Sequence, residues 1–317
     1  MAKFRVGKVF EKGGLTITMI VIAVFLTIYT KGLFLSPRNI INIIVQSSLT
    51  GIVAIGMTFV ILTAGIDLSV SGTAILCSIV GAMLLRSGFI WGFVLLIMLL
   101  LGAFVGLING LAITKLRMVP FVTTLALLNI TRGVAKTISN AETIIIDNNI
   151  HSIFGQGRVA GIPVSVIMLI VFAVAGYIIL NYSKFGRRIY AVGGNERAAW
   201  LAGIKTNQIV TTAYVISGLC AAFGAILLTS QLMSAQSTIA TGLELDAIAA
   251  CVIGGTSLFG GEGGIIGTVL GAIVISMINI GLNLMGVSPF IQEIAKGAII
   301  LIVIAIDAVR RTRAENV

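Results

Sequence analysis

Residues 90–113 read IWGFVLLIMLLLGAFVGLINGLAI, an apolar run that contains no charged side chain. A helix needs about 20 mostly apolar residues to cross the hydrocarbon core of a bilayer, and this run supplies them. Comparable runs fill most of the chain and predict about ten spanning helices, with the eighth unusually short. They lie at 14–35, 40–63, 69–86, 90–113, 119–138, 163–182, 207–230, 244–258, 263–285 and 289–308.

The composition agrees with a protein that has little water-facing surface. Hydrophobic residues make up 58% of the 317 residues, charged residues make up 10%, and the mean hydropathy is +1.12. A soluble domain carries about 25% charged residues. Lipid cannot satisfy an open sheet edge, and the alternating pattern of a membrane barrel is absent. We therefore predict an all-α polytopic membrane protein with one transmembrane domain over residues 1–317.

The net charge of +10 is distributed as in membrane proteins. Lys and Arg cluster between the apolar runs, which is typical of loops that flank spans and not of a nucleic-acid-binding face. If the N-terminus is cytoplasmic, the inside segments hold more than twice as many cations as the outside segments. This bias predicts two cytoplasmic termini, a long cytoplasmic loop at about 183–206 and a long external loop at about 139–162.

The sequence contains no recognisable catalytic or metal-binding arrangement. The glycine-rich stretch 254–264 looks like a phosphate loop but lacks its Gly-Lys-Ser/Thr ending. The single histidine, His151, has no apparent partner for nucleophilic catalysis, and no Cys/His spacing suits a metal. We therefore expect that the chain is not an enzyme and that it binds no metal, ATP or other cofactor itself.

The first motif is TAGIDLSVSG at residues 63–72. An ionised carboxylate at membrane depth costs at least about 2.5–3.5 kcal/mol, so Asp67 must have a compensating environment. It either accepts backbone N–H groups near the start of the third span or lies on a translocation path with Ser69. The sequence leaves both interpretations open.

The second motif is GGNERAAWLAGI at residues 193–204. Its residue types predict a short helix with an Asn cap, an acid in the first turn and a terminating glycine. Such a short helix is marginal in water, so a docking partner is the simplest reason for it to exist. The alternative is an amphipathic loop on the lipid surface. The candidate docking residues are Asn195, Glu196, Ala198, Ala199, Gly203 and Ile204.

Polar residues in or near the spans are candidates for the solute path. Glu244 and Asp246 begin the eighth span, where acids are favourable. The remaining residues either form interhelical hydrogen bonds or line a polar path. The full set of path candidates is Asp67, Ser69, Asn109, Gln231, Glu244, Asp246, Asn279 and Asn283.

The two halves of the chain share a weak repeat of glycine and Pro-Phe patterns. Glycines recur every fourth residue at 102–110 and again at 263–271, and Pro-Phe opens a late span at 120–121 and at 289–290. If spans two to five correspond to spans seven to ten, the odd separation makes the repeat inverted, as in several transporter folds. The alternative is generic packing of small residues between helices.

These motifs together resemble the permease subunits of ribose-type bacterial ABC monosaccharide importers. The resemblance rests on residues 65–70, 193–204, 235–264 and 281–288 and extends over nearly the whole chain. One departure is visible, because the family follows Leu-Ser-Val with glycine, whereas here Ser71 precedes Gly72.

The resemblance implies a multi-pass protein of the bacterial inner membrane that acts in a complex. Two permease chains, expected to be a homodimer, would form the path. Cytoplasmic ABC ATPase subunits, which bind ATP and Mg²⁺, would dock around 195–204. A periplasmic sugar-binding protein would deliver a ribose-like monosaccharide to the external side, where the loop at 139–162 lies. No nucleic acid is expected as a partner.

Other transport functions remain alternatives. The permease could carry another small solute, such as an autoinducer-type furanose, a nucleoside or a branched-chain amino acid. An ion-coupled secondary transporter would use ionisable groups within spans, and the late spans contain Glu293, Lys296 and Asp307. Glu293 and Lys296 are three residues apart and could simply pair with each other.

Overall fold

The computed structural model describes residues 3–298, 301 and 305, with side chains described from residue 14 onward. Part of the predicted tenth span, including Asp307, lies outside the described residues, as does the basic C-terminal segment.

Helices dominate the described residues, which confirms the prediction of an all-α polytopic membrane protein. The helices are α1 (Lys3–Tyr29), α2 (Pro37–Leu62), α3 (Val70–Arg86), α4 (Trp91–Lys115), α5 (Pro120–Ser139), α6 (Asn149–Gln156), α7 (Val164–Tyr182), α8 (Lys184–Gly194), α9 (Glu196–Leu201), α10 (Thr206–Leu232), α11 (Leu243–Ile253) and α12 (Ile265–Leu284). A 3-10 turn spans Leu33–Leu35, and residues 289–298 are also helical.

Within the described part of the chain, five helices are long and apolar enough to cross a membrane, namely α2, α4, α7, α10 and α12. The apolar part of α1 (Gly14–Tyr29) and all of α3 are shorter. Helix α11 has 11 residues and is about 17 Å long, roughly half the hydrocarbon thickness. The predicted eighth span at 244–258 is therefore a half-length helix, because the backbone leaves the helix at the glycines that follow Ile253.

Short connecting elements gather at two opposite ends of the helices. At one end, which we name the α6 face, α6 lies with two small antiparallel pairs. These are β1 (Ile144–Ile145) with β4 (Ser234–Ala235), and β2 (Arg158–Val159) with β3 (Ile162–Pro163). At the other end, the α9 face, α8 meets the C-terminal end of α2 and the glycine-rich loop 254–264, and α9 follows directly after α8.

The core is built around α2 and α10, which pack against each other. Most of the α2 and α10 spans is buried, whereas α4 and α7 are buried over only 28% of theirs. Helix α4 lies against α10 through a stripe of glycines. A Cβ on Gly106 would lie 2.9 Å from the carbonyl carbon of Tyr214, so the two backbones are in direct contact.

The helix pairings correspond between the two halves that the predicted repeat relates. Helix α4 packs on α10 as α12 packs on α2, and α3 contacts α10 and α4 as α11 contacts α2 and α12. The glycine stripes, however, are not equivalent. Those of α4 face α10, whereas Gly267 and Gly271 of α12 face α11. The pairing supports the repeat, but the glycine pattern reflects local packing in two different interfaces.

Candidate functional site

Asp67 is buried in the loop between α2 and α3, with 1% of its surface exposed. One carboxylate oxygen accepts the backbone N–H of Ser69 at 3.0 Å and the Ser69 hydroxyl at 2.6 Å. The other accepts the hydroxyl of Ser217 from α10 at 2.8 Å. The carboxylate therefore has several donors, which is what a buried charge requires.

Neighbouring helices hold the same loop from three sides. Asn109 of α4 donates to the Ser69 hydroxyl at 2.7 Å. Tyr214 of α10 and Thr124 of α5 donate to the carbonyl oxygen of Ile66 at 3.2 and 3.3 Å. In this conformation Asp67, Ser69 and Asn109 thus lie inside the helix packing, which favours the structural interpretation of the first motif over a position on an open path.

Helix α11 carries two acidic residues that form ion pairs with two different helices. Glu244 pairs with Arg132 of α5 at 3.3 Å, and the same Arg132 nitrogen donates to Ser71 of α3 at 2.9 Å. Asp246 pairs with Lys296 at 3.0 Å and accepts from Asn279 of α12 at 3.3 Å. The cation side chains are 24% exposed, and the acids are 11% and 13% exposed. These pairs bring together Glu244, Asp246 and Asn279 among the predicted path residues.

Two expectations about charges need correction. Lys296 pairs with Asp246 across helices and not with Glu293, whose side chain is exposed. The count of cations in the external segments included Arg132, yet this residue lies well inside α5. The sequence indicated a buried ion pair through the position of Arg132 in the apolar run 119–138, because a cation in such a run requires a counter-ion.

The remaining path candidates lie at helix ends. Gln231 is in the last turn of α10. Its backbone carbonyl accepts a hydrogen bond from the side-chain amide of Gln156, the last residue of α6. Asn283 is in the last turn of α12 and accepts from Gln292 at 2.8 Å. Both tie connecting segments to the helices and are separate from the acids of α11.

The docking motif forms the predicted short helix. The Asn195 side chain accepts the backbone N–H of Ala198 at 2.9 Å, which caps α9, and Gly203 has φ +80° after its end. Asn195, Glu196, Ala198 and Gly203 are exposed as expected, but Ala199 is buried and Ile204 is half-buried, so these two anchor the segment inward.

Two apolar residues that the sequence analysis did not single out complete this surface. The side chains of Trp200 and Leu201 are 54% and 69% exposed, and Arg197 stacks over the Trp200 ring at 4.8 Å. Interface hot spots are enriched in tryptophan and arginine, which are the two residues that stack here. The outward face of α9 therefore combines an acid, an arginine–tryptophan pair and an apolar tip.

The docking segment is connected directly to the loop that follows α11. The backbone N–H of Gly261 donates to the carbonyl of Leu62 at 3.1 Å, and a Cβ on Gly261 would lie 2.9 Å from the nitrogen of Gly194. Tyr190 of α8 donates to the carbonyl of Gly263 at 2.9 Å. The glycines thus allow backbone contact and form a short route from α9 to α11.

His151 does have partners, contrary to the expectation from sequence. It is buried in α6 at 2% exposure, receives the Trp91 indole N–H on Nδ1 at 3.3 Å and lies 3.0 Å from the Thr229 hydroxyl through Nε2. These contacts fasten α6 to the ends of α4 and α10. Among the described residues, no group of three or more His, Cys, Asp or Glu side chains is placed to hold a metal ion.

Comparison with known proteins places this architecture in a family. Residues 39–304 match the family model described as branched-chain amino acid transport system / permease component. The chain is 42% identical over 301 residues to the ribose import permease protein of Bacillus subtilis, covering 94% of this chain and 93% of the relative. No solved structure matches it significantly.

Relatives that carry other sugar names are also similar. The galactose/methyl galactoside import permease protein of Escherichia coli K12 is 35% identical over 325 residues, with 96% of each chain covered. The D-allose transport system permease protein of the same organism is 36% identical over 297 residues, covering 93% of this chain and 90% of the relative. The chain thus belongs to this family of transport-system permease components. Within the family, it is similar to the ribose-type import permeases.

Proposed function

We propose that the chain is the membrane-spanning permease subunit of an ATP-driven importer for a ribose-like monosaccharide. The observation that carries the proposal is the similarity to sugar import permeases over more than nine-tenths of the chain. The fold supports it, because two ion pairs within the helix body offer polar groups to a solute while a separate helix, α9, presents a docking surface.

The exposed face of α9 supports docking of a cytoplasmic ABC ATPase. Trp200 and Leu201 have no covering element among the described residues, and the capped helix holds them in one orientation. The ATPase would bind ATP and Mg²⁺, so this chain would need no cofactor and would perform no catalysis. The α9 face and both termini would then be cytoplasmic, with the protein in the inner membrane.

The opposite end supports delivery from the periplasm. The α6 face would be external, as the charge bias predicts, and would receive a sugar-binding protein. A second permease chain, expected to be identical, would close the path. It would pack against the helices whose spans are only 28% buried or against the cations of the ion pairs, which are 24% exposed.

Other solutes within the same family are the second candidate. The family description names branched-chain amino acids, and a furanose or a nucleoside offers hydroxyl groups similar to those of ribose. An ion-coupled mechanism is less well supported. Glu244 and Asp246 each have a cationic partner, whereas ion coupling needs a carboxylate that can exchange its partner for the ion.

Purification of the tagged chain from its native host in mild detergent tests the proposal. We expect a stoichiometric soluble ATPase to accompany the wild-type chain. Leu201→Glu should remove it, because the charge is placed on an exposed apolar docking residue without disturbing the core. Ile145→Glu is the matched control, since Ile145 is 73% exposed on the α6 face. Purification of the chain alone, with ion-driven uptake intact, would establish a secondary transporter instead.

A further inference from the structure

Three helices bring Ser71, Arg132 and Glu244 together, and we name these residues the Arg132 cluster. Ser71 lies in the first turn of α3, Arg132 in α5 and Glu244 in the first turn of α11. Gly72 allows this meeting, because a Cβ at that position would lie 2.7 Å from the carbonyl oxygen of Leu128 in α5. Helices α3 and α5 therefore approach closely beside the guanidinium.

The cluster has polar atoms that its own members leave unsatisfied. Glu244 is 8% exposed, and its Oε2 has no hydrogen-bond partner in the described structure. The Nε of Arg132 is also buried without an acceptor. Buried polar groups normally have partners, and an unmade hydrogen bond costs about 1–3 kcal/mol or more for a charged group. The cluster thus leaves one carboxylate oxygen and one guanidinium N–H without a partner.

The electrostatic setting makes the cluster receptive to oxygen atoms. The first turns of α3 and α11, whose backbone N–H groups carry partial positive charge, both contact Arg132 through Ser71 and Glu244, and the Glu244 carboxylate offsets this charge. Asp246 is already paired with Lys296. An anion would be repelled by Glu244, whereas a neutral hydroxyl can accept from the guanidinium and donate to the carboxylate at the same time.

Access is provided along α5. The Arg132 side chain is 24% exposed, whereas its Nε and the Oε2 of Glu244 are buried. On the same side of α5, Asn129 and Lys136 are exposed, three residues before and four residues after Arg132. Polar side chains at these positions of a membrane helix are unfavourable against lipid and suit contact with water.

We propose that the Arg132 cluster is a binding station for adjacent hydroxyl groups of the transported monosaccharide. One hydroxyl donates to Glu244 Oε2 and a neighbouring hydroxyl accepts from Arg132, with Ser71 as a further polar partner. The inference rests on the proposed sugar import function and adds that the permease itself discriminates between sugars. The competing role is purely structural, in which the ion pair only fixes the position of α11.

The test uses the complete complex in proteoliposomes, with its ATPase and a saturating amount of sugar-loaded binding protein. A panel of labelled D-ribose, D-galactose and D-allose first identifies the sugar that the wild type imports. The initial rate for that sugar is then compared with the rates for its deoxy analogues. Because the binding protein is the same throughout, a change in the rate ratio between variants reports the permease.

We expect the wild type to prefer the parent sugar over one deoxy analogue by about tenfold, the size of a charged hydrogen bond. Glu244→Gln should bring that ratio close to one and slow the parent sugar. Glu293→Gln is the matched comparison, because it makes the same chemical change at an exposed glutamate outside the cluster, and it should leave the ratio between the two sugars unchanged. Ser71→Ala leaves no charge unpaired, so it provides a second variant if Glu244→Gln does not assemble, and it should reduce the ratio several-fold.

The outcomes distinguish failure of the proposed binding station from failure of the proposed sugar import function. A wild-type ratio near one, or a Glu244→Gln variant that slows both sugars alike, would overturn the binding station and leave a structural ion pair. Absence of uptake for every monosaccharide, with a different solute transported, would overturn the proposed function itself.

Discussion

At the scale of single residues, buried polar side chains connect helices that are far apart in the sequence. Asp67 joins the α2–α3 loop to Ser217 of α10, and His151 joins α6 to α4 and α10. Each group is surrounded by donors or acceptors that would be unsatisfied without it. Removal of one partner therefore costs more than the net value of the hydrogen bond, because the remaining groups stay buried.

Asp67→Ala should strongly destabilise the protein. The substitution leaves the hydroxyls of Ser69 and Ser217 without their acceptor, and we expect a loss of about 2–4 kcal/mol. Ser217→Ala removes one donor and should cost about 1 kcal/mol. Thermal unfolding of the purified detergent-solubilised chain measures both. Equal melting temperatures for Asp67→Ala and the wild type would contradict a structural role.

Acid should loosen the attachment of α6 through His151. Burial lowers the pKa of His151 from 6.5 to about 4, so the folded protein holds the imidazole neutral. The unfolded chain binds the additional proton below about pH 6.5, and the stability therefore falls as the pH drops from about 6.5 to about 4. Melting temperatures over this pH range should decline less for His151→Gln, which cannot titrate. Identical slopes would exclude His151 as the origin of the decline.

At the scale of elements, backbone contacts through glycine determine how closely helices pack. Helices α4 and α10 touch where Gly106 faces Tyr214, and α12 touches α11 through Gly267 and Gly271. Without a hydrophobic driving force between helices in lipid, such close van der Waals contact is a main source of association. Half-length α11 depends on this contact in particular, because it cannot span the bilayer alone.

Gly106→Leu should separate α4 from α10 and lower the yield of folded protein. Overpacking typically costs about 1–3 kcal/mol, and here the obstacle is backbone that cannot rotate away. Gly92→Ala on the same helix is the control, since no atom lies within 4 Å of its added Cβ. Size-exclusion profiles in detergent and melting temperatures report the difference. A normal profile for Gly106→Leu would contradict the close packing.

At the scale of the whole molecule, a short route joins the docking surface to the ion pairs. Helix α9 continues from α8, whose end contacts the 254–264 loop, and that loop follows α11 with its two acids. A displacement of α9 by a partner would therefore reach α11 through contacts at Gly194 and Gly261.

Gly261→Ala should uncouple ATP hydrolysis from transport. The residue has φ +76° and faces the nitrogen of Gly194, so a methyl group strains the loop and separates it from α8. We expect the ATPase to co-purify normally while sugar uptake per ATP hydrolysed falls several-fold. Gly264→Ala in the same loop meets no atom within 4 Å and should retain coupling. Normal coupling in Gly261→Ala would show that this contact carries no motion.

The spanning helices, the cap of α9 and the distribution of cations could be predicted from the sequence, because local composition governs these features. Apolar length predicts spanning helices in any tertiary context, and Asn195 caps α9 through a residue three positions away. The lack of a phosphate loop and the placement of cations are likewise readable along the chain. Sequence reasoning also placed Glu244 and Asp246 at the start of a helix, as the structure has them, since acids at a helix start follow a local rule.

The partners of those acids required the folded chain. Arg132 and Lys296 are 112 and 50 residues away from them, so no periodicity connects them. The same reason explains why Glu293 appeared to be the partner of Lys296, why His151 seemed isolated, and why Ala199 faces inward while Trp200 faces outward. Local rules act within a few residues, whereas charge pairing and burial depend on which helices the packing brings together.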